Sequence, residues 1–256
     1  MNPIKKGNSR EFYENFHKKQ RFPWISRAMQ AERLSVISKL IQRFSTDRHA
    51  RNVLLVGCGS GDDMSLDPNA FGIDLSMKSL GNTKTRFSSS RVLQGDAQVL
   101  PFIENSFDLI ICSEVIEHLP HRELFLSEAH RVLKKGGILI LTTPNWMSWY
   151  GLARRLAEAL TARPITAAGQ PIDHWSTIRS LKAEMTSKFD LTATKGIWFY
   201  PPMGKGHMVL PFPLSALVYY LLLPVERVLQ IILPSWGHMI AMVARKHQNK
   251  SDTALS

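Results

Sequence analysis

Hydrophobic and polar positions follow two different periods along this chain. Apolar residues recur at helical spacing from Ile25 to Phe44, which predicts an amphipathic helix. Later apolar runs are short and end at glycines or polar residues, which is typical of strands buried on both faces. Predicted strands span 53–56, 71–74, 91–94, 107–112, 138–141, 191–198 and 239–244, and further helices span 121–134 and 176–189. This alternation predicts an α/β fold, a mostly parallel sheet with helices on both faces.

The segment before the last predicted strand departs from this pattern. Residues 208–225 carry no charged side chain, and the apolar run resumes after Arg227. Its length would suit a membrane span, but prolines leave only residues 214–223 as unbroken helix. The strands on both sides belong to one sheet, so both ends of the segment lie on one side of any membrane. We expect an apolar helical insertion at a membrane interface, with a buried hairpin, an acceptor lid or a dimer surface as alternatives.

Composition and charge narrow the function classes. The chain has 256 residues, and a hydrophobic share of 44% excludes intrinsic disorder. The net charge of +11 is uneven: residues 1–51 carry 12 basic and 4 acidic side chains, and residues 52–150 carry 8 and 11. The basic flanks favour an anionic membrane surface or, as the weaker option, nucleic acid, unless they are simply solvated. Two cysteines and the lack of an apolar leader predict a cytoplasmic protein with peripheral membrane association.

A glycine-rich turn, Gly57-Cys58-Gly59-Ser60-Gly61, follows the first predicted strand. No Gly-Lys-Ser/Thr follows it, which excludes a P-loop, and the adjacent Asp62 and Asp63 disfavour a pyrophosphate. A ligand with a positive centre and no phosphate tolerates these carboxylates, and S-adenosylmethionine is such a ligand. Asp74 at the end of the second strand can accept both ribose hydroxyls. Asp96 after the third strand can accept from the adenine amino group, or it caps a turn.

Four stretches together resemble the class I S-adenosylmethionine-dependent methyltransferases, in particular their small-molecule and lipid branch: VLLVGCGSG (53–61), FGIDLS (71–76), QGDAQVLPFIENSFDLIICSEVIEHL (94–119) and LKKGGILILTTPN (133–145). The resemblance implies a Rossmann-like seven-stranded sheet whose last strand is antiparallel, with the cofactor over the carboxyl ends of the first strands and S-adenosylhomocysteine as product. It implies a cofactor-binding set made of Gly57, Cys58, Gly59, Gly61, Asp74, Leu75, Asp96, Ala97 and Ser113.

Two departures from the family pattern stand out. Leu55 occupies a position that is usually acidic in the family, so we expect Asp62 and Asp63 to take over a contact with the methionine end of the cofactor. The short stretch from Gly61 to Asp74 leaves room only for a short first helix.

Candidate chemistry lies after the fourth strand. Glu114, Glu117 and His118 resemble the Glu-x-x-Glu-His metal motif of some O-methyltransferases, but we favour a hydrogen-bonded turn and assign no metal ligand. The candidate catalytic residues are His118 and His174. The family often places a histidine beside the acceptor pocket at the latter position, and a plain helix-entry role is the alternative for it.

These patterns predict a domain order and a function. The expected units are a basic N-terminal helical cap (1–51), a methyltransferase core (52–199), an apolar insertion (200–236), the final core strand (237–247) and a tail (248–256). The expected activity is O-methylation of an apolar or lipid-linked small molecule at an anionic membrane surface. An RNA methyltransferase and a non-catalytic, cofactor-binding scaffold of a membrane complex are the alternatives, and the oligomeric state is left open.

Overall fold

One sheet organises the protein. The computed structural model describes residues 10–16, 24–45, 52–165, 172–200 and 213–247. Within these ranges seven strands are found: β1 (Val53–Val56), β2 (Phe71–Asp74), β3 (Arg91–Gln94), β4 (Phe107–Ser113), β5 (Leu133–Pro144), β6 (Phe189–Ile197) and β7 (Met239–Lys246). Their order is β3-β2-β1-β4-β5-β7-β6, and β7 runs antiparallel to both of its neighbours. The predicted fold is confirmed, and the carboxyl ends of β1 to β5 meet at one edge of the sheet.

Helices cover both faces of this sheet, and two of the connections are short 3₁₀ turns. The helices are α1 (Arg10–Phe16), α2 (Trp24–Phe44), α3 (Met77–Arg86), α4 (Arg122–Val132), α5 (Trp149–Thr161), α6 (Ile178–Met185) and α7 (Leu214–Ile232), and the turns are Asp63–Ser65 and Ile116–His118. Side chains of β1 alternate between two buried clusters. Leu54 packs on the side of α4 and α6, whereas Leu55 packs on the side of α2 beside Ile37. Leu55 is therefore a core residue.

The hydrophobic pattern predicted most of these elements. β1, β2 and β3 have the predicted bounds, and the short first connection contains only the turn Asp63–Ser65. The predicted helix 121–134 is shorter, because its chain turns into β5 at Leu133. Helix α5 was not predicted. Its leucines point to solvent, so they do not belong to the apolar clusters that the pattern was used to find.

Helix α7 corrects the prediction that prolines break the insertion. It runs for 19 residues through Pro224, which lies inside it. A proline removes one intrahelical hydrogen bond, which this long helix tolerates at an exposed position. No helix in the described ranges is both long enough and apolar enough to cross a membrane. Residues 201–212 of the predicted insertion, the tail 248–256 and much of the cap 1–51 lie outside the described residues.

Two carboxyl groups hold α7 against the core. The backbone N–H of Phe199 donates to Glu226 (3.3 Å), and that of Trp198 donates to Glu32 of α2 (3.1 Å). The side-chain amide of Gln230 donates to both carboxyl groups, at 3.2 and 3.4 Å. Burial and the neighbouring Glu226 raise the pKa of Glu32 from 4.5 to about 8. At neutral pH Glu32 therefore keeps its proton, and the carboxyl pair joins α2, α7 and the end of β6.

We predict that Glu32→Gln makes stability less dependent on pH. The folded protein binds a proton at Glu32 that the unfolded chain releases above pH 4.5, so the stabilising effect is lost as the pH rises towards about 8. The slope of one such group is at most about 1.4 kcal/mol per pH unit. Urea unfolding of both proteins across this range measures it. Since Gln cannot titrate, the wild type should lose more stability than the variant, and equal losses would contradict the raised pKa of Glu32.

Candidate active site

The glycine-rich turn closes back onto the end of β2. Gly57, Gly59 and Gly61 all have positive φ angles, of 70°, 50° and 86°, which glycine adopts without strain. The backbone N–H groups of Gly57 and Cys58 donate to the carbonyl of Ile73 (2.8 and 3.2 Å). A Cβ added at Gly59 would meet nothing closer than 3.9 Å, so this side of the turn is open to a ligand.

Asp74 connects this turn with the next helix. One of its carboxylate oxygens accepts from the backbone N–H of Gly59 (2.8 Å), and the other accepts from that of Ser76 (2.8 Å). Ser76 in turn caps α3 by accepting from the N–H of Ser79 (3.1 Å). Asp74 therefore lies where the sequence predicted the ribose-binding carboxylate.

The other predicted cofactor residues lie along the same edge of the sheet. The carboxylate of Asp96 accepts from the backbone N–H of Gln98 at 2.8 Å and from its side-chain amide at 3.1 Å. This is the turn cap that the sequence left as the alternative for Asp96. Cys58, Ala97 and Ser113 are buried, and Leu75 is partly buried. Burial raises the pKa of the Cys58 thiol to about 12, which keeps it protonated.

The two aspartates after the glycine turn have arginine partners. Asp62 accepts from Arg86 (2.6 Å) and from the side-chain amide of Gln30 (2.5 Å). Asp63 is buried and forms an ion pair with Arg33 of α2 (2.9 Å). The expectation that these carboxylates replace an acidic residue at Leu55 therefore gains no support, because their charges are compensated within the protein.

Arg33 is a site residue that the sequence did not reveal. Its side chain is 14% exposed, and its Nε atom is buried without a hydrogen-bond partner among the described residues. Its positive charge is also felt by Glu114 at the end of β4. A buried guanidinium with an unused donor beside the glycine turn fits a carboxylate ligand. The residues present therefore fit S-adenosylmethionine: Asp74 for the ribose and Arg33 for the methionine carboxylate.

Two carboxyl groups lie where β4 ends. Glu114 has a φ of 56°, an unusual backbone conformation for a non-glycine residue, and accepts from the hydroxyl of Thr142 (2.9 Å). Glu117 is 1% exposed and accepts from the hydroxyl of Thr143 (3.2 Å). Burial raises the pKa of each to about 8, and for Glu114 the neighbouring Glu117 adds to the effect. Both are therefore protonated at neutral pH.

His118 and His174 are oriented differently. The Nδ1 atom of His118 lies 2.9 Å from the carbonyl of Ile172, so Nδ1 carries the proton and Nε2 keeps its lone pair. This Nε2 is 3.7 Å from a carboxyl oxygen of Glu117. Burial lowers the pKa of His118 below 6.5, which keeps the ring neutral. His174 is exposed, and its side chain lines a groove of about 420 Å³ beside Arg122 that contains none of the predicted cofactor residues.

The described residues show no group of three or more metal-ligating side chains arranged to hold an ion. Glu114, Glu117 and His118 instead bond to threonine hydroxyls and a backbone carbonyl.

The sequence also gave no sign that α1 belongs to the site. Glu14 of α1 accepts from the N–H groups of Met77 (2.7 Å) and Lys78 (3.1 Å) at the start of α3.

Tyr13 is the residue that this attachment brings to the site. Burial raises the pKa of Tyr13 well above its usual range, and the nearby carboxylates of Glu117, Asp74 and Asp173 add to the effect. These three acidic residues come from β2, from the turn after β4 and from the segment before α6. Tyr13 therefore lies near the predicted ribose carboxylate and near Glu117, the residue before His118.

Sequence comparison identifies the domain. Residues 54–141 match a protein family described as a methyltransferase domain. A probable S-adenosylmethionine-dependent methyltransferase of Mycolicibacterium smegmatis is 32% identical over 108 residues, covering 41% of this chain and 42% of that protein. A fatty-acid O-methyltransferase of the same organism is 29% identical over 154 residues, covering 54% and 53%. A demethylmenaquinone methyltransferase of Staphylococcus aureus is 29% identical over 167 residues, covering 59% and 68%.

The chain thus spans about two fifths of the length of the first of these relatives. Solved structures agree on the fold. A methyltransferase from Thermotoga maritima, described as a possible histamine N-methyltransferase, superposes with a TM-score of 0.62 at 17% identity and covers 93% of this chain and 98% of that one. Residues 54–141 therefore match a methyltransferase domain, and the similarity to S-adenosylmethionine-dependent methyltransferases indicates S-adenosylmethionine as the cofactor.

Proposed function

We propose that this protein methylates a hydroxyl group of an apolar or lipid-linked acceptor at a membrane surface. The observation that carries the proposal is an apolar face of α7 that is exposed in the part of the chain that the structure describes, beside the cofactor edge of the sheet. Leu217, Leu221 and Val225 of α7 are 56%, 66% and 50% exposed. The relatives described as acting on a fatty acid and on demethylmenaquinone support an apolar acceptor for this chain.

Separate residues would hold the two ends of the cofactor. Asp74 accepts the ribose hydroxyls, and Arg33 binds the methionine carboxylate while its partner Asp63 stays paired. When bound, S-adenosylmethionine supplies a methyl group activated on a sulfonium. The open side of Gly59 lets the backbone approach the ligand closely. Tyr13 and the buried ends of β4 and β5 keep water away from the reacting atoms.

His118 is the residue best suited to take the acceptor proton. A hydroxyl must lose its proton as its oxygen bonds to the methyl carbon, so a neutral base is needed at that point. The carbonyl of Ile172 fixes the tautomer and leaves Nε2 unprotonated. Glu117, whose carboxyl oxygen lies 3.7 Å from this Nε2, is protonated at neutral pH. His174 lines a different groove and stays a candidate on the acceptor side.

We predict that two variants separate the halves of the cofactor site. Asp74→Ala should weaken S-adenosylmethionine and 5′-methylthioadenosine alike, by about 2–3 kcal/mol, because both ligands carry the ribose. Arg33→Ala should weaken S-adenosylmethionine by about 2 kcal/mol but leave 5′-methylthioadenosine unchanged, because that ligand lacks the amino-acid part. Arg33→Lys keeps the charge and should lose less.

Calorimetry with both ligands measures these affinities, and a thermal melt of each variant controls for folding. If Arg33→Ala weakened the two ligands equally, the guanidinium would act on the glycine turn as a whole. The assignment of Arg33 to the methionine carboxylate would then be wrong.

We predict that His118→Asn lowers turnover about 100-fold or more while the affinity for S-adenosylmethionine stays unchanged. Asn can still donate to the Ile172 carbonyl, but it cannot accept the proton. In the wild type the rate should hold down to below pH 6.5 and then fall, since burial lowers the pKa of the base. Unchanged turnover in the variant would reduce His118 to a structural role.

We predict that a labelled methyl group from S-adenosylmethionine appears in lipid rather than in RNA. The experiment incubates the protein with fractionated lipid and RNA pools, and it includes a chelator arm and the His118→Asn variant as a blank. Label in the lipid pool that resists the chelator supports the proposal. Label in RNA would establish the RNA methyltransferase alternative. Cofactor binding without transfer to either pool would favour the non-catalytic scaffold. Loss of transfer in the presence of chelator would indicate a metal ion at Glu114, Glu117 and His118.

A further inference from the structure

Helix α5 exposes its apolar face, whereas an ordinary surface helix buries it. Its leucines face solvent: Leu152, Leu156 and Leu160 are 40%, 62% and 78% exposed. They recur at a spacing of four and therefore form one stripe along the helix. Trp149 extends the stripe to the first residue of the helix and is 55% exposed.

The polar side of α5 makes the contacts with the protein. The guanidinium of Arg154 forms an ion pair with the buried Asp173 (2.7 Å) and lies over the rings of Trp146 and Trp175, at 4.9 and 4.8 Å. The carboxylate of Glu158 forms a second ion pair with Arg154, at 2.9 Å from its Nε atom. These bonds fix which side of the helix faces outward, so the exposure of the leucine stripe is part of the folded structure.

Helix α7 presents a second stripe of the same kind. Six of its exposed apolar residues lie three or four positions apart, which places them on one face: Leu214, Leu217, Leu221, Val225, Val228 and Ile232. The opposite face packs on the core through Val218, Leu222 and the buried Glu226.

The two stripes meet at the catalytic edge of the sheet. Asn145 directly follows β5, and its side-chain amide donates to the carbonyls of Ser235 (2.8 Å) and Gly237 (2.9 Å), just after α7. The rings of Trp149 and Trp236 lie 5.8 Å apart, which brings the start of α5 against the segment that follows α7. The end of α7 and the start of α5 thus converge where β5 has its carboxyl end.

We propose that α5 and α7 together form one docking surface for an anionic lipid bilayer, with α5 as its second wall. The proposal rests on the membrane part of the proposed function and extends it to a helix outside the predicted insertion. The charge of this surface indicates its occupant. The exposed charged residues of the two helices, Arg155 and Arg227, are both basic, whereas the partly exposed Glu158 is paired with Arg154 and Glu226 is buried. A second copy of this chain on the same face would bring like charges together.

Vesicle sedimentation with three double variants tests this surface. One carries Leu156→Asp and Leu160→Asp on α5, and one carries Leu221→Asp and Val228→Asp on α7. The matched control carries Val99→Asp and Ile103→Asp, which are 71% and 81% exposed but lie outside both helices. Leu222 is avoided because it packs on the core. The probes are vesicles of phosphatidylcholine with and without phosphatidylglycerol, at low and at high salt.

We predict that the wild type sediments with the anionic vesicles and that salt weakens this binding without abolishing it. The α5 variant should lose the salt-resistant part at least fivefold, as should the α7 variant, while the control binds like the wild type. An unchanged affinity for S-adenosylmethionine shows that each variant is folded. If only the α7 variant lost binding, the role of α5 would be wrong. If the wild type did not bind at all, the whole surface would be wrong.

A second measurement does not depend on the aspartate variants. Cys58 and Cys112 are 4% and 0% exposed, so a Leu160→Cys variant can be labelled at position 160 with an environment-sensitive fluorophore. Its emission should shift to the blue on anionic vesicles. A blue shift that appears with rising protein concentration in the absence of vesicles, together with a dimer in sedimentation velocity, would contradict the proposal. The occupant of the surface would then be a second copy of this chain and not a bilayer. The label-transfer experiment on lipid is separate, so methyl transfer can stand even if this surface fails.

Discussion

The hydrogen bonds from the backbone N–H groups of Gly59 and Ser76 to the two carboxylate oxygens of Asp74 hold the site together. They join the glycine turn after β1, the end of β2 and the start of α3. Helix α1 is attached at that same helix start through Glu14. One carboxylate thus fixes the position of the glycine turn. Through α3 it also fixes the position of α1 and of Tyr13. The cofactor edge of the sheet depends on this connection.

Sequence predicted the parts of the site that lie on consecutive strand ends. Asp74 and the glycine turn follow short buried runs, and those runs fix both their register and the edge they share. Arg33 could not be found in this way. It belongs to an amphipathic helix, where an arginine usually indicates the solvated face, and its partner Asp63 lies 30 residues further along the chain. Only the tertiary packing of α2 on the sheet brings the two together.

The helices were harder to place than the strands, for a related physical reason. Hydrophobic periodicity shows that one face of a helix differs from the other, but it does not say what covers that face. For α5 the usual assumption, that the apolar face is buried, is wrong, because Arg154 and its aromatic neighbours hold the polar face inward. For α7 the proline rule failed, because packing stabilises the helix on both sides of Pro224: Val218 and Leu222 before it pack on the core, and Glu226 after it accepts from the N–H of Phe199.

Several departures from ordinary folding rules lie at the carboxyl edge of the sheet. At the amino ends of β4 and β5, Asp108 and Lys134 form a half-exposed ion pair of 2.9 Å, as expected for a protein surface. At the carboxyl ends, Glu117 is buried and protonated, Glu114 has a strained backbone, and the nearby helices expose leucine. Each of these features costs stability or solubility, so their concentration at one edge calls for a function there. The proposed arrangement, in which a buried, charge-balanced cofactor site opens onto a lipid-facing rim, would account for both kinds of departure, because the acceptor would then pass from bilayer to base without crossing water.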